Sequence, residues 1–173
     1  GVGHLDTGAD GEHPALAGAI QHFVFVNDDG LPGSTGPARD TDIHGTHTAA
    51  TIAGRPVNGR HVGVAPAAKL AVATVIEGGQ VADRILTGLS WALGRGVKIV
   101  SMSLGFRGYV PDFYPVLQRL RERGVLAVIA VGNEGPGTSR SPGNYDNVLS
   151  VGATTEAGRV WQYSGSQRFA RPT

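Results

Sequence analysis

The sequence predicts an α/β fold with a doubly wound, mainly parallel sheet and helices on both faces. Three observations lead to this prediction. Short runs rich in Val, Ile and Leu lack apolar–polar alternation, helical patterns separate those runs, and glycines follow the helical patterns. Runs without alternation are typical of strands buried on both faces, and strands that alternate with helices form βαβ units.

The predicted strands share a short, Val/Ile/Leu-rich composition. The first, Val2 to Asp6, is closed by a polar residue. The others are Gln21 to Val26, Leu70 to Ile76, Lys98 to Leu104, Val125 to Val131, Val148 to Val151 and a last strand at Val160 to Tyr163. Between the second strand and the first helix, residues 27–42 are rich in Gly, Pro, Asp and Ser, which predicts a surface loop.

Three helical patterns lie between these strands. His44 to Ala53 is rich in Ala and Thr, while Val81 to Leu93 and Pro111 to Arg123 space their apolar residues one helical turn apart. Gly94-Arg95-Gly96 and Gly124 follow the second and third helices, where a C′ glycine commonly ends a helix.

Composition and charge exclude several classes of function. The 173 residues suit a single domain, residues 1–173, and the formal charge of +1 with scattered arginines gives no footprint for nucleic acid or an anionic membrane. There is no cysteine, which excludes disulfides, thiolate zinc sites and cysteine nucleophiles. No apolar run approaches the roughly 20 residues that cross a bilayer, and no basic-then-apolar signal segment is present.

Residues capable of catalysis follow predicted strands or open a helix in three segments. These segments are Asp6-Thr7-Gly8, His44-Gly45-Thr46-His47 and Gly132-Asn133-Glu134-Gly135. Sites in open α/β sheets form outside the carboxyl ends of the strands, so we expect Asp6, His44 and Asn133 to converge at one edge. Taken singly, the first and third segments also fit ordinary turns, whereas two histidines flanking Gly45 and Thr46 at a helix start favour a functional role.

The three side chains suit acyl transfer. A carboxylate beside a histidine fixes the imidazole tautomer and stabilises the imidazolium formed in catalysis. A helix N-terminus disfavours a charged imidazole, which would keep His44 neutral and able to accept a proton. An Asn side chain such as that of Asn133 can donate a hydrogen bond to the oxyanion of a tetrahedral intermediate.

These segments, with Gly63-Val64-Ala65-Pro66 and Ser101-Met102-Ser103-Leu104-Gly105, resemble in order the motifs of the subtilases, the subtilisin-like serine peptidases. The resemblance spans essentially the whole chain. It implies serine endopeptidase chemistry on a polypeptide substrate, without a cofactor, and a location outside the cell.

The resemblance also implies a role for individual residues. Asp6 would be the acid, His44 the base and Asn133 the oxyanion donor. The substrate-binding residues would be Ser103, Leu104, Gly105 and Gly132, with the first three pairing with an extended substrate as an added strand. Glu134 would lie at the rim of the first specificity pocket and mildly favour a basic side chain, or be a solvated surface residue.

Two features depart from the family pattern. Many subtilases carry an acidic calcium ligand after His-Pro, but here Ala15 follows His13-Pro14, and Arg55 and Arg60 occupy the loop where calcium is expected. Because positive charge opposes a hard cation, we expect that calcium site to be absent.

The second departure concerns the nucleophile, which subtilases carry in a Gly-Thr-Ser-Met-Ala segment. That segment does not occur in these 173 residues. Gly137-Thr138-Ser139 matches its first letters, but Pro142 prevents the uninterrupted helix that should follow. We therefore expect the fold to be incomplete at the C-terminus, the chain to be inactive alone, and a segment carrying the serine to be its partner.

Two other functions stay open from the sequence. A pseudo-peptidase would bind peptides in the same groove without cleaving them. A metal-dependent hydrolase would use His4, Asp6, His44 and His47 as mixed ligands for zinc or manganese. The second reading requires His47 to face the same ion as Asp6, whereas we expect His47 to pack into the buried face of its helix.

Overall fold

A computed structural model describes residues 1–76 and 78–168. The chain divides into two compact units, the first covering residues 1–101 and the second beginning at Met102. Each unit has its own strands and helices. The assignment of residues 1–173 to one domain stays a prediction.

The first unit is built on parallel strands. They are β1 (Val2–Asp6), β2 (Ile20–Phe25), β3 (Leu70–Thr74) and β4 (Ile99–Met102), in the spatial order β2-β3-β1-β4. Strand β3 pairs in parallel with both β1 and β2, and every residue of β3 is buried. Asp6 lies opposite Thr74 in this register, so the carboxyl ends of β1 and β3 share one edge of the sheet.

Two helices pack on these strands. Helix α1 (His44–Ala53) buries Gly45 and three alanines, which let it lie close to β1. Helix α2 (Val81–Gly94) contacts β1 and β3 and buries Ile85 and Leu89. Gly96, with φ of +71°, follows α2 in the left-handed conformation that ends many helices.

Among its described residues, 102–168, the second unit contains one α-helix and two strand pairs. Its elements are β5 (Phe106–Arg107), α3 (Tyr114–Glu122), β6 (Leu126–Ala130), β7 (Arg140–Ser141) and β8 (Leu149–Val151). Strands β6 and β8 pair in parallel, and β5 and β7 pair antiparallel. Helix α3 packs on β6 through its buried Leu117 and Leu120.

The α/β class with parallel strands is confirmed, and β1 and α1 have the predicted bounds. The third helix begins later than predicted, at Tyr114, and residues Pro111–Phe113 form a 3-10 turn. Pro115 has no N–H to donate to the Pro111 carbonyl, so the α-helical bonding cannot extend further towards the N-terminus.

Three strand predictions need correction. Strands β3 and β4 end at Thr74 and Met102, two residues earlier than predicted. The strand predicted at Val160 to Tyr163 is absent from that described segment, where Val160 forms only an isolated bridge to Thr154 and the chain then turns. Among the residues that the structure describes, no helix is long and apolar enough to cross a membrane.

Candidate active site

Asp6 and His44 form a hydrogen-bonded pair in the first unit. The Nδ1 atom of His44 lies 2.6 Å from Oδ1 of Asp6. The carboxylate side chain is 1% exposed, whereas the imidazole is 44% exposed. A buried acid therefore holds the inner nitrogen of a histidine whose ring remains open to solvent.

The Asp-Thr-Gly sequence places the carboxylate at the end of β1. Asp6 is the last residue of the strand, and its Oδ1 accepts the backbone N–H of Thr7 at 2.7 Å. Gly8 follows with φ of +115°, and a Cβ on it would lie 2.2 Å from the carbonyl oxygen of Arg39. Only glycine permits this turn and this close approach, which is why the strand can end so abruptly at Asp6.

The start of helix α1 is held by side chains from elsewhere in the unit. Ile43 at the N-cap position makes no capping hydrogen bond. Instead, Thr7 Oγ1 accepts the N–H of Gly45 at 2.9 Å, and Asp40 Oδ2 accepts the N–H of Thr46 at 2.6 Å. These bonds satisfy N–H groups that have no partner within the helix, and so they fix the helix start that carries His44.

The glycine after His44 allows helix α1 to approach β1. A Cβ on Gly45 would lie 2.1 Å from the carbonyl oxygen of Gly8 and 2.8 Å from Thr7 Oγ1. Any side chain here would push α1 away from the Asp6 turn. The His-Gly-Thr-His sequence therefore combines the candidate base His44 with a packing requirement at Gly45.

Asp40 is an anionic cap for this helix. Its burial acts to raise its pKa, but the side chains of Thr46 and Thr7 and the N–H groups of Thr46 and Asp42 all donate to it and hold its pKa below the ordinary value. Thr7 Oγ1 donates to Asp40 Oδ1 at 2.7 Å, so the residue after Asp6 connects both carboxylates. The sequence analysis missed Asp40, although an acidic residue shortly before a helix without a polar N-cap is a usable signal.

The sequence analysis expected His47 to pack into the buried face of α1. In the structure, His47 is exposed instead. It lines an open cleft of about 1040 Å³ in the first unit, together with four acidic residues, Asp10, Glu12, Asp40 and Asp42. The buried face of α1 consists of small residues, which leave no room for an imidazole beneath the helix.

The oxyanion candidate lies in the second unit, in the loop after β6. Asn133 is exposed, and Gly132 before it has φ of +104°. The backbone N–H of Asn133 donates to Glu134 Oε2 at 3.1 Å. The side chain of Asn133 is thus directed by a tight glycine turn and left open to solvent.

Arg140 connects two of the predicted substrate-binding segments. Its Nη1 donates to the Gly105 carbonyl at 2.7 Å, and its guanidinium pairs with Glu134. Its side chain fills the space where a Cβ would stand on Gly105 or Gly132, at 2.9 and 2.8 Å respectively. The two glycines thus flank an arginine that the sequence analysis did not single out.

This ion pair alters the reading of Glu134. The hydrogen bond from Arg140 is the main cause that lowers the pKa of Glu134, with smaller help from the Asn133 N–H. Because its charge is already paired with an arginine, Glu134 is neither a free acidic group for a basic substrate side chain nor an unpaired surface residue.

The remaining substrate-binding predictions fall just after β4. Ser103, Leu104 and Gly105 are all partly buried and follow the end of the strand at Met102. The predicted strand extended to Leu104 and so included Ser103 and Leu104. In the structure, none of the three residues belongs to β4.

Ser139 is not placed as a nucleophile. It is 7% exposed, its hydroxyl donates to Gln167 Oε1 at 2.7 Å, and it accepts a hydrogen bond from Asn144 Nδ2 at 3.0 Å. Its loop is built around these contacts. Ser139 is a structural serine of the second unit.

The structure tests the two metal hypotheses through the residues involved. In the described part of the chain, no three or more His, Asp or Glu side chains are grouped to hold a metal ion. At the loop expected for calcium, the Arg55 guanidinium donates to four backbone carbonyls, those of Gly18, Ala53, Pro66 and Ala68. These oxygens already face a fixed positive charge, so this loop does not fit a calcium ion.

The chain matches the model of the subtilase family over residues 1–170. It belongs to that family. Among curated subtilases, it is 37% identical to the major intracellular serine protease of Bacillus subtilis (strain 168), covering 96% of this chain and 54% of that protein. It is 30% identical to subtilisin E of the same organism, covering 95% of this chain and 43% of that protein.

Solved structures agree with this assignment. Sphericase superposes with a TM-score of 0.79 at 29% identity, covering 95% of this chain and 59% of that structure. The S41 psychrophilic protease gives a TM-score of 0.79 at 28% identity, covering 95% of this chain and 58% of that structure. The chain thus spans about half the length of the curated subtilases it matches.

Proposed function

We propose that the complete protein is a serine endopeptidase in which Asp6 orients His44 and His44 is the general base. The contact that carries this proposal is the 2.6 Å separation between His44 Nδ1 and the buried Asp6 Oδ1. Nδ1–H donates to the carboxylate, so Nε2 keeps its lone pair. Within the described residues of the first unit, nothing hydrogen bonds to Nε2, which leaves it free to take a proton from a nucleophile.

The proposed reaction is acyl transfer on a polypeptide substrate. A serine attacks the peptide carbonyl, His44 takes the serine proton and returns it to the leaving amine, and Asp6 stays ionised while it stabilises the imidazolium. Asn133 is the proposed donor to the oxyanion. Ser103, Leu104, Gly105 and Gly132 are the proposed contacts for the substrate backbone.

The nucleophile is proposed to come from outside these 173 residues. No Gly-Thr-Ser-Met-Ala segment occurs in them, and the Ser139 hydroxyl is occupied by Gln167 and Asn144. The 173-residue chain alone is therefore proposed to be inactive. Its required partner is the segment that carries the serine.

Hydrolysis of an unstructured polypeptide by the complete protein tests the function. We expect cleavage at internal bonds that is abolished by His44→Ala and by a serine-directed sulfonyl fluoride but is unaffected by a chelator. Cleavage stopped by the chelator alone would favour a metal-dependent hydrolase. Binding of the polypeptide without cleavage would favour a pseudo-peptidase.

The role of Asn133 has its own test in the complete protein. Loss of this donor in subtilisin lowers turnover by about 10²–10³. We expect Asn133→Ala to lower kcat by a similar factor with little change in KM. Asn133→Asp, which keeps the size but has no N–H to donate, should lose as much, and an unchanged kcat in either variant would dismiss the assignment.

An extracellular location was inferred from the family alone, and the relatives are divided on it. Two of them, from Bacillus subtilis and Paenibacillus polymyxa, are named intracellular serine proteases. The location stays a proposal, as does the absence of nucleic-acid and membrane partners. Detection of the protein in culture medium or in cell extract decides the first.

A further inference from the structure

A buried polar pair lies behind the Asp6 carboxylate. His4 is 1% exposed and stands two residues before Asp6 on β1, so both side chains leave the same face of the strand. Thr48 stands four residues after His44 on α1, so these two side chains share one face of the helix. The four residues therefore meet as two facing pairs between β1 and α1.

Hydrogen bonds connect this second pair to the first. Nε2 of His4 lies 2.8 Å from Thr48 Oγ1, and Thr48 Oγ1 lies 3.2 Å from Asp6 Oδ2. His4 itself is 4.0 Å from Asp6 Oδ2 and reaches the carboxylate only through the threonine. The order of contact is His4, Thr48, Asp6, His44.

The two carboxylate oxygens of Asp6 are held very differently. Oδ1 accepts from the N–H of Thr7 and from His44, and Thr7 Oγ1 lies 3.3 Å away. Within the described first unit, Oδ2 has one hydrogen-bond partner, Thr48. Because Asp6 is 0% exposed, loss of that partner would leave a charged oxygen buried without a donor.

The hydroxyl proton of Thr48 lies within reach of three acceptor oxygens. Besides Asp6 Oδ2, the carbonyl oxygens of His44 and Gly45 lie at 3.2 Å from Thr48 Oγ1. If Nε2 of His4 carries its proton, it donates to Thr48, and the Thr48 hydroxyl proton then points to the charged acceptor, which binds more strongly than a carbonyl.

The surroundings of the two ring nitrogens favour the tautomer of His4 that carries its proton on Nε2. Burial is the main cause that lowers the pKa of His4, partly offset by Asp6 and Asp40, so the ring is neutral with a single N–H. Nδ1 has no hydrogen-bond partner among the residues that the structure describes. A buried N–H without an acceptor costs more than a buried lone pair without a donor, so the proton belongs on Nε2.

We propose that His4 and Thr48 are positioning residues that hold the Asp6 carboxylate in the orientation His44 requires. The proposal rests on the proposed peptidase function for its kinetic consequences. Its structural content, a carboxylate anchored at Oδ2 by a threonine that a buried histidine orients, does not depend on turnover.

The test uses the complete protein and Thr48→Val, which keeps the branched shape and removes the hydroxyl. Without its anchor, the carboxylate can turn away from His44. We expect kcat to fall about tenfold with KM unchanged, the effect of one hydrogen bond to a charged group. We also expect the Nδ1–H proton resonance of His44, followed by NMR of its labelled imidazole, to move upfield as the hydrogen bond to Asp6 weakens. The charged and titratable groups that face His4 are Asp6, Asp40 and His44.

Matched variants separate positioning from packing. Thr48→Ser restores the hydroxyl. It should return kcat to within about twofold of the wild type and the NMR signal of His44 to its wild-type position. Thr51→Val removes a hydroxyl one turn further along α1 that bonds only to the His47 carbonyl, at 2.9 Å, and should change neither. His4→Leu should lower kcat in the same direction while leaving the melting temperature nearly unchanged, since it also removes the unpaired Nδ1.

The outcomes are distinguishable. If Thr48→Val leaves both kcat and the His44 Nδ1–H resonance unchanged, the positioning role is overturned. A downfield move of that resonance would also overturn it, because Thr48 would then only withdraw charge from a carboxylate that stays in place. If the wild type cleaves no peptide, the proposed function fails, and the His44 Nδ1–H resonance in the same variants still decides the positioning role.

Discussion

The residues around Asp6 illustrate how much of this site consists of support for one carboxylate. Thr7 contributes its N–H to Asp6 and its hydroxyl to Asp40, and the same hydroxyl accepts the N–H of Gly45. Asp6 and the helix that carries His44 are therefore connected through a single threonine. A displacement of either the Asp6 turn or the start of α1 would change the length of the His44–Asp6 hydrogen bond.

The support that Asp40 gives depends on pH, and replacement of Asp40 by Asn should remove that dependence. The pKa of Asp40 is lower in the folded protein than in the unfolded chain, so its ionised form stabilises the fold. That stability is fully present above about pH 4, the unfolded pKa, and is lost as the pH falls through the folded value. In the complete protein, the loss of unfolding free energy in Asp40→Asn should be largest at neutral pH and shrink in acid.

Denaturant unfolding of both proteins at several pH values measures this difference. Asp29→Asn, at an exposed side chain whose Oδ1 accepts the N–H of Leu31, is the control for the substitution itself. An Asp40→Asn deficit that stayed constant into strong acid would contradict the capping role.

At the scale of elements, β1 and α1 define the candidate site because their backbones come unusually close. Gly8 and Gly45 face each other across this contact, and neither tolerates a side chain. The sequence could predict both elements with their bounds, since an apolar run ending in Asp-Thr-Gly and an Ala-rich helix after a polar loop are strong local signals.

Gly45→Ala tests the closeness of this contact. The new Cβ would overlap the Gly8 carbonyl at 2.1 Å, so we expect a loss of about 2 kcal/mol in unfolding free energy and a large loss of activity in the complete protein. Gly94→Ala, at the end of α2, meets nothing within 4 Å and should instead be neutral or stabilise by about 0.5 kcal/mol. Equal effects of the two substitutions in thermal or denaturant unfolding would refute the packing argument.

Arg55 joins segments of the first unit that a calcium ion would otherwise be expected to order. Its guanidinium holds four backbone carbonyls, and its charge opposes a second cation. We expect a chelator to leave the melting temperature of the complete protein unchanged and Arg55→Met to lower stability by about 2 kcal/mol. A melting temperature that falls with chelator and recovers with calcium would show that this loop, or another, holds the ion after all.

Other features of the site could not be predicted, for identifiable physical reasons. Asp40, His4 and Arg140 act through contacts with residues distant in the sequence, and local patterns record little of those pairings. Asp40 and His4 are partial exceptions. Asp40 precedes a helix that lacks a polar N-cap, and the two-residue spacing of His4 from Asp6 and the four-residue spacing of Thr48 from His44 match strand and helix periods. His47 was misplaced because helical periodicity alone does not show that α1 lies too close to β1 for an imidazole.

At the scale of the whole molecule, the chain covers only part of the proteins it resembles. It spans about half the length of the subtilases it matches and contains the proposed acid, base and oxyanion donor. The hydroxyl of Ser139 is buried and hydrogen-bonded, which argues against this serine as the nucleophile. The account therefore depends on a serine outside residues 1–173 that His44 activates.

Labelling with a fluorophosphonate, followed by mass-spectrometric mapping of the modified residue, tests that dependence most directly. The account predicts that the complete protein is labelled on one serine outside residues 1–173, that His44→Ala abolishes the labelling, and that the 173-residue chain is not labelled under the same conditions. Labelling of Ser139 or any other serine within residues 1–173, or a folded complete protein that takes up no label, would contradict it.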